Sequence, residues 1–494
     1  EFFCIKKQIE ELFVFLFIVF CHIWNKWYNI AWMEGENMHR KVLEELLTYA
    51  ISTGADFAEI YVGNSTQQVY KVFDSKLDSI STSNSKGIGV RISKDGEVYY
   101  ASTNNINKSK IKELISNIIE NIKGSSNRVV KLSRKKSANP KIIQPHKKVP
   151  IKVKKAKLLE YDSIARKQSN LITQVSTSFV EIDKNYTVAN SNGKYVSSSE
   201  ILTRVIANIY AEENKEKANQ YTYYGAAKGY EILDDIDFSS QVIKAAKTAV
   251  EKLAAKDFKG GLLPVVINNG FGAVIFHEAC GHGLEATSVA TKSSVFSNDL
   301  GKKIASEKVT LIDDGTIEGC WGTNIFDDEG EKTQKNILIE KGVLKNYLVD
   351  SLNSSKMNHV SNGCSRRENY QYAPTSRMSN TYLATGNDRI EDMIKSIKLG
   401  VYCEEMSGGV VQPSTGDFNF AVETAWLIEN GKISHRIKGI TLIGTSKEIL
   451  KNVEMVSSDL KLESGFCGSK SGLIPVTIGQ PTIKISSILV GGKE

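Results

Sequence analysis

Phe276-His277-Glu278-Ala279-Cys280-Gly281-His282-Gly283-Leu284-Glu285 is the stretch on which the reading of this chain turns. Two histidines flank a glutamate in the order H-E-x-x-x-H. Neutral imidazoles are good zinc ligands, and a carboxylate beside one of them is placed to act as a general base. The familiar spacing for that chemistry is H-E-x-x-H, one helical turn between the histidines. Here there is one more residue. At about 100° per residue, positions five apart diverge by roughly 140° on a regular α-helix. Both rings reach one metal only if the helix widens into a π-type turn or ends. Gly281 and Gly283, on either side of His282, lower the cost of such a distortion.

Catalytic zinc takes three protein ligands and a water, so two histidines leave the site incomplete. The chain has seven histidines, and His359 and His435 are candidates for the third position. So is Cys467, in Ser464-Gly465-Phe466-Cys467-Gly468-Ser469-Lys470, where flanking glycines on a flexible loop allow close approach and thiolate is a strong zinc ligand. Cys280 inside the motif reads as a small apolar filler rather than a nucleophile. Glu285 reads equally as a partner of a ligating histidine or as a solvated charge. Arg366-Arg367 reads as an exposed charged turn, with capture of a peptide carboxylate as the alternative. Tyr223-Tyr224, and Tyr370 with Tyr372, read as strand-face packing rather than a substrate platform.

Working outward, the C-terminal half is glycine-rich and mainly β, with turns at Lys341-Gly342 and Asn430-Gly431 and the histidine helix inserted early, after Asn268-Asn269-Gly270. Upstream, residues 170–232 read as a four-stranded meander with a turn at Asn192-Gly193, followed by a helix to about Lys256 that Ser239 caps. The N-terminal unit reads as a helix from His39 to Thr53 stopped by Gly54, strands at Ala58–Val62 and Gln68–Val72, a hairpin around Asp95-Gly96, and a helix from Lys108 to Lys123. Between these lies a lysine-rich stretch punctuated by Pro140, Pro145 and Pro150. It lacks aromatic residues for base stacking, so it reads as a solvated linker and not as a nucleic-acid surface. The expected organisation is α+β: an N-terminal α/β domain followed by a mainly β C-terminal domain carrying the HExxxH helix. Its boundaries are 38–125 for the first α/β domain, 126–160 for the basic linker, 161–260 for the meander and helix, and 261–494 for the C-terminal domain.

With 494 residues the chain is long enough for two or three domains, and a net charge of +7 is too modest to argue for nucleic acid. Seven cysteines without a dense framework or a C-x-x-C pair point to a reducing, cytoplasmic setting. Residues 1–37 read as an extension foreign to the rest, the break in pattern falling after residue 32 and the start at Met33 or Met38. The apolar run from Leu12 to Trp24 is short for a membrane span, and no membrane association is expected.

The chain from about Met38 resembles the TldD branch of the TldD/PmbA zinc metalloprotease family. The motifs that carry the resemblance run in order: the histidine stretch; Asp313-Asp314-Gly315-Thr316; Phe326-Asp327-Asp328-Glu329-Gly330; Gly408-Gly409-Val410; Leu427-Ile428-Glu429-Asn430-Gly431; Gly465-Phe466-Cys467-Gly468; and Gly479-Gln480-Pro481-Thr482. The resemblance implies a zinc peptidase acting on unfolded or flexible peptides. His277, His282 and Cys467 would hold Zn2+, and Glu278 would be the catalytic base. It also implies either a homodimer or a heterodimer with a PmbA/TldE-like partner, in which case the subunit is active only with that partner. The rival reading is a non-enzymatic regulatory protein, of the gyrase-modulator kind, with a structural metal.

Overall fold

The computed structural model describes residues 40–492 apart from residue 121; the expectations for residues 1–37 lie outside the described residues. The architecture is α+β, in two compact units.

Of the described residues, the first unit takes 40–61, 88–135 and 189–195. Its helix over 40–51 buries Leu43, Leu46, Leu47 and Ala50, an apolar stripe at helical spacing. Ile88–Lys94 pairs antiparallel with Glu97–Thr103 around Asp95-Gly96, whose φ values of 51° and 85° give the left-handed pair that a two-residue hairpin needs. The helix Lys108–Ile119 is capped by the Asn107 side chain, which accepts from the Ser109 amide.

The second unit takes 62–87, 136–188 and the chain from 196 onward. Much of the stretch read as a solvated linker is ordered differently. Pro150 opens a helix, Ile151–Arg166, and Lys154, Leu158, Tyr161 and Ala165 are all buried on one of its faces. Lys154 is 1% exposed because Glu181, equally buried, stands 2.6 Å from its ammonium. The meander has three long strands rather than four shorter ones, Ile172–Asn190, Tyr195–Glu213 and Glu216–Ala226. The helix that follows, Phe238–Lys252, is capped by Asp237 instead of Ser239. Single alternating strands of this length need no break where the sequence merely turns more polar.

Two large sheets and a two-stranded ribbon, Ser365–Arg366 with Thr375–Ser376, build the C-terminal half among the described residues. One has eight strands, in which Gly260–Ile267 lies between Leu399–Val411 and Ile483–Gly491. The other has six, in the order Val343–Leu344, Lys335–Glu340, Leu311–Asp314, Asn380–Leu383, Gly472–Gln480, Lys461–Ser469. One large apolar core includes residues of both sheets and the short helix Val274–Ala279.

Candidate metal centre

The strand Gly260–Ile267 delivers the chain to Gly270, whose φ of +75° turns it into a short 3-10 turn and then the helix Val274–Ala279. That helix is six residues long. It stops at Cys280 (φ −121°, ψ −56°), and His282 sits in a separate 3-10 turn, Gly281–Leu284. The two histidines therefore do not share a distorted helix; of the two expected solutions, the helix ends. Packing explains where. A Cβ on Gly281 would overlap the Met378 side chain, and one on Gly283 would come within 2.8 Å of the Phe296 ring. Only glycine lets the turn sit this deep.

Cys467 is on the regular edge strand Lys461–Ser469, opposite Ile474 of the strand Gly472–Gln480, and not on a flexible loop. Gly472, at φ +88°, closes that hairpin. Cβ atoms on Gly465 and Gly468 would meet nothing nearer than 3.6 and 3.9 Å, so the glycines are not what lets Cys467 approach. The strand itself aims the buried thiol.

The His277 Nε2 lies 3.1 Å from the Cys467 Sγ, and the His282 Nε2 lies 3.2 Å from the same sulfur. The ligand atoms of the three residues all fall within 4.8 Å of one another, and the two rings stand at 84°. Two nitrogens and a sulfur facing one point from different elements are a donor set suited to zinc. The buried His277 Nδ1 finds no protein partner, so the polar contact of this ring is the one its Nε2 makes with Cys467. His359 and His435 lie elsewhere, near the Val360 carbonyl and the Ser434 hydroxyl.

Glu278 is half-buried beside the cluster, its Oε2 3.7 Å from the His282 Nε2. Burial raises its pKa above the usual carboxylate value, partly opposed by the two histidines. Burial would also push the Cys467 thiol up, but His277 and His282 outweigh it and hold the thiol well below its ordinary value. His282 is depressed by burial yet ends well above the usual imidazole value, because Glu285 and Cys467 face it.

Glu285, left open by the sequence, is 5% exposed and stands 3.1 Å from the His282 Nδ1. Arg366 and Arg367 are 4% and 0% exposed, which corrects the exposed-turn reading. Arg366 donates to the Met378 carbonyl, and Arg367 is held by Asp328 through its amide and guanidinium. The aspartate motifs fold loops. Asp327 accepts from the amides of Glu329, Glu331 and Ser365, and Asp313 accepts from the Ser379 amide and the Thr381 hydroxyl. Burial pushes the Asp313 carboxyl up to about 6. Sequence reasoning missed Arg377, which contacts the turn after Cys467 and Glu285; no local pattern marks it.

A cavity of about 370 Å³ lies beside the start of the Cys467 strand. Its lining includes Tyr221, Tyr223, Phe271, Glu405, Glu463 and Ser464. Tyr223 packs edge-on against Phe271 and carries the Arg204 guanidinium 4.2 Å over its ring.

Among the described residues no helix is long and apolar enough to cross a membrane. Three family descriptions match in order: PmbA/TldA metallopeptidase domain 1 over 58–122, central domain over 144–255 and C-terminal domain over 260–492. A Metalloprotease TldD homolog of Buchnera aphidicola is 33% identical over 461 residues, covering 91% of this chain and 95% of its own. A Metalloprotease TldD homolog of Haemophilus influenzae is 31% identical over 468 residues, covering 92% and 97%. Among solved structures, TldE from Thermococcus kodakarensis superposes with a TM-score of 0.72 over 91% of this chain and all of its own; at 20% identity that likeness speaks for the fold alone. With three consecutive domains matched and relatives above 30% identity over nine-tenths of its length, this chain belongs to the TldD branch of the PmbA/TldD metalloprotease family.

Proposed function

We propose that the chain is a zinc-dependent peptidase in which His277, His282 and Cys467 hold the metal and Glu278 is the general base. The observation that carries this reading is the convergence of the three donors within 4.8 Å, with the half-buried Glu278 carboxylate next to them. Three protein donors rather than four favour a catalytic over a structural metal. When bound, zinc would supply Lewis acidity to a water and to the scissile carbonyl. Glu278 would take the proton of the attacking water and return it to the leaving amine. In the metal-free chain burial raises its pKa, which favours taking up a proton. Glu285 orients His282 by facing its Nδ1. The substrate is an unfolded or flexible peptide, and the cavity beside the Cys467 strand is where its chain would lie. A reducing cytoplasm keeps Cys467 available as a ligand.

Elemental analysis of the purified chain, with peptide cleavage assayed before chelation, after it and after zinc is restored, tests the reading. About one zinc per subunit and cleavage that follows the metal are expected. Cleavage unaffected by complete zinc removal would overturn it. Running the assay with and without a TldE-like partner separates a homodimeric enzyme from a heterodimeric one.

A further inference from the structure

The donors reach the centre on two separate arms, the Val274–Leu284 segment and the strand Lys461–Ser469. One fully buried side chain grips the second arm and lies near Glu285, the residue just after the first. Arg377 is 0% exposed. Its Nη2 donates to the carbonyl of Cys467 itself at 2.6 Å. Its Nη1 donates to the Ser471 hydroxyl at 2.8 Å and the Gly472 carbonyl at 3.1 Å, gripping the turn that closes the Cys467 hairpin. Its Nε stands 3.9 Å from the Glu285 Oε1, the same oxygen that lies 3.1 Å from the His282 Nδ1.

The neighbours of Arg377 fix it from both sides. Its amide donates to the Cys364 carbonyl, and the Ser376 hydroxyl accepts from the Thr287 amide, just beyond Glu285. The Met378 side chain fills the space that the missing Cβ of Gly281 leaves, and its carbonyl is held by Arg366. Ser376–Met378 is thus a strap running between the two arms, with a forked cation at its middle.

We propose that Arg377 is a positioning residue for the donor set. Through Glu285 it sets the orientation of His282, and through the carbonyl of Cys467 it sets the reach of the thiol. The fork is what the role requires: a planar guanidinium addresses two acceptors in fixed directions, whereas a lysine ammonium is a single point on a flexible stem. Outer partners of this kind typically change metal affinity by roughly 10–100-fold when removed. This inference rests on the zinc reading above.

The test measures zinc affinity by competition with a chromophoric chelator and records the visible spectrum of the cobalt(II)-substituted protein. The chains compared are wild type, Arg377→Lys, Glu285→Gln and Ser471→Ala. Arg377→Lys and Glu285→Gln should each weaken zinc about 10–100-fold and shift the cobalt bands, while melting of the zinc-free protein stays near wild type. The double variant should lose less than the product of the two single losses, because both act through one chain of contacts. Ser471→Ala removes one support of the guanidinium and should weaken zinc by at most about tenfold. Should Arg377→Lys fail to fold, Glu285→Gln and Ser471→Ala carry the test. Wild-type affinity and an unshifted cobalt spectrum in Glu285→Gln would overturn the proposal while leaving the zinc site standing. A wild-type chain that takes up no zinc would overturn both.

Discussion

The two arms of the centre reach the same point by opposite means. The histidine arm is irregular: a six-residue helix, a break at Cys280 and a 3-10 turn whose glycines are sterically required. The cysteine arm is a regular edge strand whose glycines are crowded by nothing, its ninefold register with Gly472–Gln480 fixing the thiol. The difference teaches that glycine near a site is not one signal. At Gly281 it makes room for Met378; at Gly468 it is a tolerated residue in an ordinary strand.

Breaking either arm at its donor should have the largest effect. His277→Ala and Cys467→Ser should each lose stoichiometric zinc and, with it, hydrolysis, whereas His359→Ala and His435→Ala should keep both; elemental analysis of the four variants decides. Next comes the chemistry proposed for the histidine arm. Glu278→Gln should retain zinc and fold yet cleave peptides roughly 10²–10⁴-fold more slowly, since an amide cannot accept the water's proton. Near-normal turnover would move the base elsewhere.

Acidification should act on the arms together. As a zinc ligand His282 would have to be neutral, and Glu285 and Cys467 hold its pKa well above the ordinary value in the metal-free protein. Binding therefore releases a proton, and zinc affinity should rise with pH through neutrality and fall as the solution is acidified. Calorimetry in buffers of different ionisation enthalpy would count the protons. A pH-independent affinity would contradict the assignment.

The smallest effects sharpen the contrast between the glycines. Gly281→Ala should cost about 1–3 kcal/mol of stability through overpacking against Met378. Gly468→Ala should stay within about 0.5 kcal/mol of wild type. Equal losses in denaturant melts would erase the distinction drawn between the arms.

Much of the frame was legible in the sequence because it is local. Asp95-Gly96 and Asn430-Gly431 turn where their φ values go positive, and the apolar stripe at Leu43, Leu46, Leu47 and Ala50 is buried as spaced. The charges that sequence reading misplaced or missed owe their burial to distant partners. Lys154 is inside because Glu181 faces it, Arg367 because Asp328 does, and Arg377 because the Cys467 hairpin offers it carbonyls. None of these pairs has a spacing that a local pattern could reveal. Cys280 read as filler, and it is a fully buried thiol whose pKa burial alone pushes up.

The sequence separation of 190 from His277 to Cys467 also sets a clock. At about 5–20 residues per second, a ribosome needs on the order of 10–40 s to make Cys467 after His277 has been joined to the chain. During that interval Gly260–Ile267 also lacks its neighbour Ile483–Gly491, which is made later still. The histidine segment therefore waits, apolar and unsheltered, for the last part of the chain to arrive. Loop closure over such a distance is slow and leaves hydrophobic surface open to aggregation. Metal uptake would then report that synthesis has run through the terminal hairpin: a nascent chain arrested before Cys467 could offer two imidazoles but never the thiolate.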